Sequence, residues 1–272
     1  MNHIENLKQV ISTLYEYPDC DICKNTRQIK DLEDDDYMSK YVDIPPMINC
    51  KCVNEINKIR ALALNSRMST EELKYSFEEY NKYLKIDVNS GNIESYEPSK
   101  VLNKYIENIS KVINNNTNMY IYSLSPMLSK IVGCSLLNEF LLKSYSVRIY
   151  DGSEIINSII KSFKHDENYY KSNIVDVAEH DRTAFYFDEF ENDNEIIYIH
   201  NIGFKDINGS TVTRFKNTIQ KRRRNNLITI LSSNEKYYDN VYRFELESFI
   251  DVGIGNADIV KSQFELYKGF IE

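Results

Sequence analysis

The chain has 272 residues, a net charge of −8 and 42% apolar residues, enough for one large domain or two ordinary ones with a real core. The acidic balance excludes a surface given over wholly to nucleic acid but leaves room for a local basic patch. No run approaches the roughly 18 to 20 uncharged apolar residues that span a bilayer, and Glu5, Lys8 and Glu16 break up the first 17 residues. Neither a signal peptide nor a membrane partner is therefore expected, and a cytoplasmic protein is.

In chain order, Ile4, Leu7, Val10, Ile11 and Leu14 are spaced for one face of a helix over residues 1–17, which Tyr17-Pro18-Asp19 breaks. A cysteine segment follows. Cys20-Asp21-Ile22-Cys23 is a C-x-x-C pair, and Cys50-Lys51-Cys52 is a C-x-C pair. Tight pairs in an odd total of five cysteines do not describe a secreted disulfide framework. Four thiolates can close a tetrahedral structural zinc site; the bland alternative is four free thiols in a small helical domain. Cys134, in an apolar run, reads as a core residue. Between the pairs, residues 31–36 are acidic and read as a solvated loop.

Helical spacing resumes at Ile56, Ile59, Leu62 and Leu64, and Ser69-Thr70-Glu71-Glu72 has the hydroxyl cap and early acids of a helix start. The polar, turn-rich residues 88–92 mark an approach to a boundary, which divides the chain into residues 1–95 and 96–272. Beyond it helices and apolar strands alternate. Strands are predicted at 119–124, 147–150, 195–199 and 227–231, with helices at 102–113, 130–142, 153–163 and 212–223. Fully apolar strands between helices imply an α/β fold, a parallel sheet covered on both faces.

The strand at Met119 leads through Ser123-Leu124-Ser125-Pro126-Met127-Leu128-Ser129-Lys130-Ile131 into a helix. A phosphate cradle of the form G-x-x-x-x-G-K-[ST] belongs at such a corner. Aligned on Lys130, its glycines fall on Leu124 and Ser129, and its hydroxyl residue on Ile131. Glycines let backbone N–H groups wrap phosphates in conformations closed to bulkier residues, and the hydroxyl helps hold Mg²⁺. Only the lysine survives. The next apolar strand ends in His200-Asn201-Ile202-Gly203, where two acids would position Mg²⁺ and the attacking water. Asn201 has no charge, and a strand-end His is more often structural. Asp188, Glu189 and Glu191 lie upstream at the wrong spacing, and the third strand runs into Ser232-Ser233-Asn234.

In this order the pieces resemble the DnaC/DnaI-type helicase loaders of bacteria and phages, in the AAA+ superfamily. The matching segments are 120–142, 195–203, 214–224 and 227–234. The resemblance implies an AAA+-like αβα domain preceded by a small helical zinc-binding domain with Cys20, Cys23, Cys50 and Cys52 as ligands. Of the implied nucleotide positions, Lys130 and Asn234 carry over and Ser129 stands at the second glycine. His200 and Asn201 occupy the degenerate acid positions, and Arg243 is a loose match to an arginine finger. The erosion weighs against ATP as a ligand and predicts little or no hydrolysis. The implied partners are a replicative DNA helicase, single-stranded DNA and further copies of the chain. The rivals are a loader mimic that inhibits or adapts the helicase, and an active ATPase that uses His200 or Asp188. Lys221-Arg222-Arg223-Arg224 ends a predicted helix. These cations either serve its macrodipole or touch DNA phosphates or a neighbouring subunit.

Overall fold

The computed structural model describes residues 3–30, 47–77, 98–169, 190, 194–203, 209–234 and 249–254. Helix α1 (His3–Leu14) comes first, then strands β1 (Gln28–Lys30) and β2 (Met47–Asn49), which pair antiparallel. Helix α2 (Lys51–Asn65) follows, then a single 3₁₀ turn at Glu72–Lys74. After it come α3 (Pro98–Glu107), α4 (Ile109–Asn114), β3 (Asn118–Ser123), α5 (Pro126–Leu142), β4 (Val147–Asp151) and α6 (Gly152–Tyr169). The chain then forms β5 (Ile196–His200), α7 (Gly209–Arg224), β6 (Ile228–Ser233) and β7 (Phe249–Ile254).

Strands β3 to β7 make one sheet in the order β4-β5-β6-β3-β7, with every neighbouring pair parallel. The expected α/β class is thus the one found. Side-chain alternation explains why these strands are apolar throughout. Met119, Ile121, Ile196, Tyr198, Ile228 and Ile230 point into one core, beneath α5. Tyr120, Tyr122, Ile197, Ile199 and Leu231 point into a second, beneath α6 and α7. A strand buried on both faces has no solvent side on which to place polar residues. β7 was not anticipated, because Asp251 interrupts its short apolar run. The predicted helix 102–113 is two helices, α3 and α4, separated at Asn108.

Residues before the expected boundary share the first core: Ile11, Ile59, Ala63, Met68 and Leu73 cluster with Leu136, Phe140 and Ile149. Residues 66–75 form a strap across α5 and the outer edge of β4. Ile149 N–H donates to Ser66 O (2.9 Å), which pairs a backbone donor on an edge strand. Asn138, on α5, donates through Nδ2 to the carbonyls of Glu72, Leu73 and Tyr75 at 3.1, 3.2 and 2.9 Å. The boundary at 95/96 and the acidic loop 31–36 lie outside the described residues.

The onward connections set the functional edge. From β3 the chain crosses to β4 at one edge of the sheet, steps back through β5 to β6, then passes over β3 to β7 at the other edge. β3 and β6 are neighbours whose onward connections run in opposite directions. Open parallel sheets hold their ligands outside the carboxyl ends of strands at such a switch point.

Candidate functional site: a cysteine cluster and the carboxyl edge of the sheet

The first site is the cysteine cluster. Cys20 and Cys23 lie on a tight turn whose Lys24, Asn25 and Arg27 have φ of 47°, 64° and 68°. The turn is held locally. Asn25 accepts from Cys20 N–H (2.9 Å) and donates to Asp19 (2.9 Å), and Thr26 donates its hydroxyl to Cys23 O (2.6 Å). Cys50 is the N-cap of α2, and Cys52 lies in its first turn. The β1–β2 pairing, Gln28 opposite Asn49, and the Cys50 N–H to Arg27 O bond (3.0 Å) bring the two pairs together. The guanidinium groups of Arg27 and Arg60 both lie over the Tyr17 ring, at 5.1 and 4.4 Å from its centroid.

All four sulfurs lie within 4.8 Å of one another. Cys20 Sγ to Cys50 Sγ and Cys23 Sγ to Cys52 Sγ are both 3.8 Å, and every cysteine is free. Zinc–sulfur bonds of about 2.3 Å at tetrahedral angles separate sulfurs by about 3.8 Å, so the donor set fits a metal ion of that size. Protonation is finely balanced. Backbone N–H groups, Cys23's foremost, pull Cys20 down to about 7. Burial pushes Cys52 up to about 12, helped by the neighbouring thiols.

The second site is a cleft of about 250 Å³ at the carboxyl ends of β4 and β5, lined by Arg67, Glu72, Lys130, Asp151, Glu154 and His200. His200, of this lining, belongs to a polar chain built on the buried Tyr198. The buried phenol donates to Ser129 O (2.8 Å), a carbonyl that can only accept. Ser232 Oγ lies 2.9 Å and His200 Nδ1 3.1 Å from the same oxygen, and Ser232 Oγ accepts from Asn201 N–H (3.0 Å). Burial, reinforced by the Lys130 ammonium, lowers His200 to about 4, so the ring is neutral at physiological pH. The Tyr198 ring takes the space beside Gly133, where a Cβ would come within 2.2 Å of it.

Lys130 is not at a helix start, as the aligned motif requires. Only Leu124 and Ser125 separate β3 from α5, and Lys130 is the fifth residue of the helix. The first turn is satisfied in large part from within the chain, Ser125 O also accepting from Ser129 N–H (3.2 Å). Ser125 Oγ accepts from Leu128 N–H (3.4 Å), Ser123 Oγ accepts from Ser125 N–H (3.1 Å), and Pro126 has no N–H to offer. The Lys130 ammonium sits 2.5 Å from Glu72 Oε1. The other Glu72 oxygen accepts from Ser69 N–H (2.7 Å) while Ser69 Oγ accepts from Glu72 N–H (3.3 Å). This is the capping box legible in Ser69-Thr70-Glu71-Glu72, but it closes one 3₁₀ turn before Tyr75 turns extended. Burial alone would raise the Glu72 carboxyl; Lys130 and Ser69 outweigh it and hold the group below its ordinary value. Lys130 is also desolvated, yet Glu72 raises it. Sequence reasoning named both residues but did not join them, because a tie between residues 72 and 130 leaves no local pattern.

Ser129 is buried and donates its hydroxyl to Pro126 O (3.0 Å). His200 ends β5 opposite Asp151, and Asn201 follows it in a left-handed conformation (φ 51°). Asn234 is exposed just past β6. Arg243, Asp188, Glu189 and Glu191 lie outside the described residues. Cys134 is fully buried, as expected of a core residue.

Arg222 requires a correction. Expected beside Lys221, Arg223 and Arg224 as a contact for DNA or another subunit, it is wholly buried. It donates to Phe190 O (2.7 Å), Asn194 O (2.9 Å), Ile228 O (3.0 Å) and Thr229 Oγ1 (3.2 Å). The helical period turns position 222 inward while 221, 223 and 224 stay exposed.

Fold and sites together define an α/β protein with a five-stranded parallel sheet, a polar cleft at its carboxyl edge and a cysteine cluster able to hold a metal ion. Among solved structures the chain is similar to replication initiator DnaA bound to AMPPCP and single-stranded DNA. The identity is 14% and the TM-score 0.47, over 72% of this chain and 55% of that one. It is also similar to a DnaI crystal structure, at 12% identity and TM-score 0.43, over 74% of this chain and 91% of that one. The chain spans about half the length of the DnaA chain. No protein-family model matches the sequence, and no curated protein does. Among the described residues no helix is long and apolar enough to cross a membrane.

Proposed function

We propose that this protein is a helicase-loader-like replication protein of the cytoplasm. In this reading a zinc-stabilised module over residues 1–95 and an AAA+-like domain over residues 96–272 bind a replicative DNA helicase and assist its placement on single-stranded DNA, without hydrolysing ATP.

The observation that carries the reading is the β3–α5 corner. It stands at the switch point of a sheet laid out for a ligand, yet two residues span it and its lysine is tied to Glu72. A triphosphate needs free backbone donors wrapped around it; here the N–H groups of Ser125, Leu128 and Ser129 are engaged within the chain and Pro126 has none. Mg²⁺ is held chiefly by carboxylate oxygens, and the end of β5 holds His200, which has no oxygen in its side chain, and Asn201, an uncharged amide. A base held down to about 4 is a weak one. Missing metal-holding and water-activating groups act on the same transition state, so their loss removes several orders of magnitude of rate. Such a domain is suited to holding a partner.

In the N-terminal module Cys20, Cys23, Cys50 and Cys52 would hold the zinc, which supplies a closed, four-coordinate cross-link. The backbone N–H donors around Cys20 favour its thiolate.

The test is a pull-down with the host's replicative helicase, with and without ATP. Capture of equal strength in both conditions is expected, together with stimulated helicase loading on single-stranded DNA. No capture overturns the reading, and capture that blocks loading replaces it with an inhibitor. ATP turnover abolished by Lys130→Ala overturns the ATP-independent part.

A further inference from the structure

The basic end of α7 has a use that its own helix does not require. The helix carries six cations (Arg214, Lys216, Lys221, Arg222, Arg223 and Arg224) and no acid, in a chain of net charge −8. Cations at a helix C-terminus commonly serve the macrodipole and the last carbonyls. Here three of the last carbonyls are already satisfied. Lys221 O accepts from Asn225 N–H (3.1 Å), and Arg222 O from Asn225 and Leu227 N–H (3.0 and 2.9 Å). Arg223 O accepts from Asn226 N–H (3.1 Å) and from Asn116 Nδ2 (2.5 Å). Arg222 is spent inside the core, and its burial fixes the last turn so that Arg223 and Arg224 face solvent. Neither guanidinium has an acid partner among the described residues.

The Asn116–Arg223 bond brings the end of α4 against the end of α7, and α4 adds the exposed Lys111, whose carbonyl accepts from Asn115 N–H (2.9 Å). Like charges gathered on an acidic protein repel one another, and a bound polyanion removes that cost. Two helix C-termini meet here, each with roughly half a negative charge. An anion is therefore held by long side chains standing away from the backbone.

We infer that Arg223, Arg224 and Lys111 form a phosphate-contact surface for single-stranded DNA at the amino edge of the sheet, the end opposite the Lys130–His200 cleft. The choice of DNA as the polyanion rests on the helicase-loader reading. Contact through phosphates alone gives no base preference and a strong dependence on salt.

The experiment measures binding of a fluorescein-labelled oligothymidylate to the full chain across a salt series, with the helicase pull-down run in parallel. Variants are Arg224→Gln, the triple K111Q/R223Q/R224Q, and Lys51→Gln as a control cation already paired with Glu55. Each phosphate contact contributes about −0.7 to the log–log salt slope on a single strand, so the triple variant should lose about 2 and R224Q about 0.7. Affinity should fall at least about tenfold in the triple variant and stay unchanged in the control. Oligothymidylate binding by the triple variant with unchanged affinity and slope overturns the inference, as does failure of the unmodified protein to bind. Helicase capture without this salt signature sinks the surface and leaves the loader reading standing. The signature without helicase capture does the reverse.

Discussion

Arg222 separates two accounts of the basic run by a single substitution. If it were one of four surface cations, Arg222→Lys would keep the charge and cost less than about 0.5 kcal/mol. The structure predicts otherwise. Among the described residues its guanidinium has no carboxylate partner and is held by three carbonyls and one hydroxyl. Burial alone pulls it down to about 9, so it remains charged near neutral pH. A lysine ammonium cannot reproduce the planar fork that reaches acceptors on Phe190, Asn194 and Ile228 together. It would leave at least one buried carbonyl unpaired, at about 1–3 kcal/mol each, and keep the cost of a buried charge. We expect Arg222→Lys to destabilise the protein by about 3–5 kcal/mol. Arg222→Met removes the charge but strands all three carbonyls, at about 1–3 kcal/mol each, and should cost about 3–9 kcal/mol. Neither change is the near-neutral one a surface cation would allow. Urea unfolding monitored by circular dichroism reads both as midpoint shifts at constant m. An Arg222→Lys midpoint matching that of the unmodified protein would refute the reasoning.

Metal analysis of purified protein should find one zinc per chain, and a strong chelator or Cys50→Ser should unfold the N-terminal module, seen as lost helical circular dichroism; zinc-free protein with four titratable thiols and unchanged stability would count against the site. Glu72→Gln strands the Lys130 ammonium, 34% exposed in its side chain, and should cost about 1–3 kcal/mol. Adding Lys130→Met should recover part of that loss, and strictly additive effects in the double-mutant cycle would deny the coupling. His200 is held at about 4, against 6.5 when free, so the unfolded chain takes up the proton first. Its contribution is complete above about pH 6.5 and is lost as pH falls towards about 4, a difference of about 3 kcal/mol. His200→Gln should flatten that part of the stability profile, and an unaltered acid limb would show that other groups cause it.

The sequence was most legible where periodicity was strong. The four apolar strands fall within a residue or two of their predicted bounds, because a strand covered on both faces must be apolar throughout. The cysteine pairs were legible by spacing alone, and their sulfurs do converge. β1 and β2 were not, since three-residue strands separated by a long insertion have no period to detect. Arg222 was misplaced because a run of four cations reads as surface, while the helical period turns one of them inward. The corner at Lys130 kept the order of a nucleotide motif but not its geometry. Proline in the first turn starts the helix early, and no motif comparison weighs where a helix begins.

Tyr198 gives that corner a kind of permanence. Its ring is wedged against Gly133, and its hydroxyl grips the Ser129 carbonyl within the first turn of α5. Anyone rewriting positions 124–131 to the G-x-x-x-x-G-K-[ST] pattern would supply the letters of a phosphate loop to a helix still bolted down from below. Reinstating the loop would mean shrinking residue 198 as well, so that the start of α5 could unwind. Repair therefore begins one strand away from the motif.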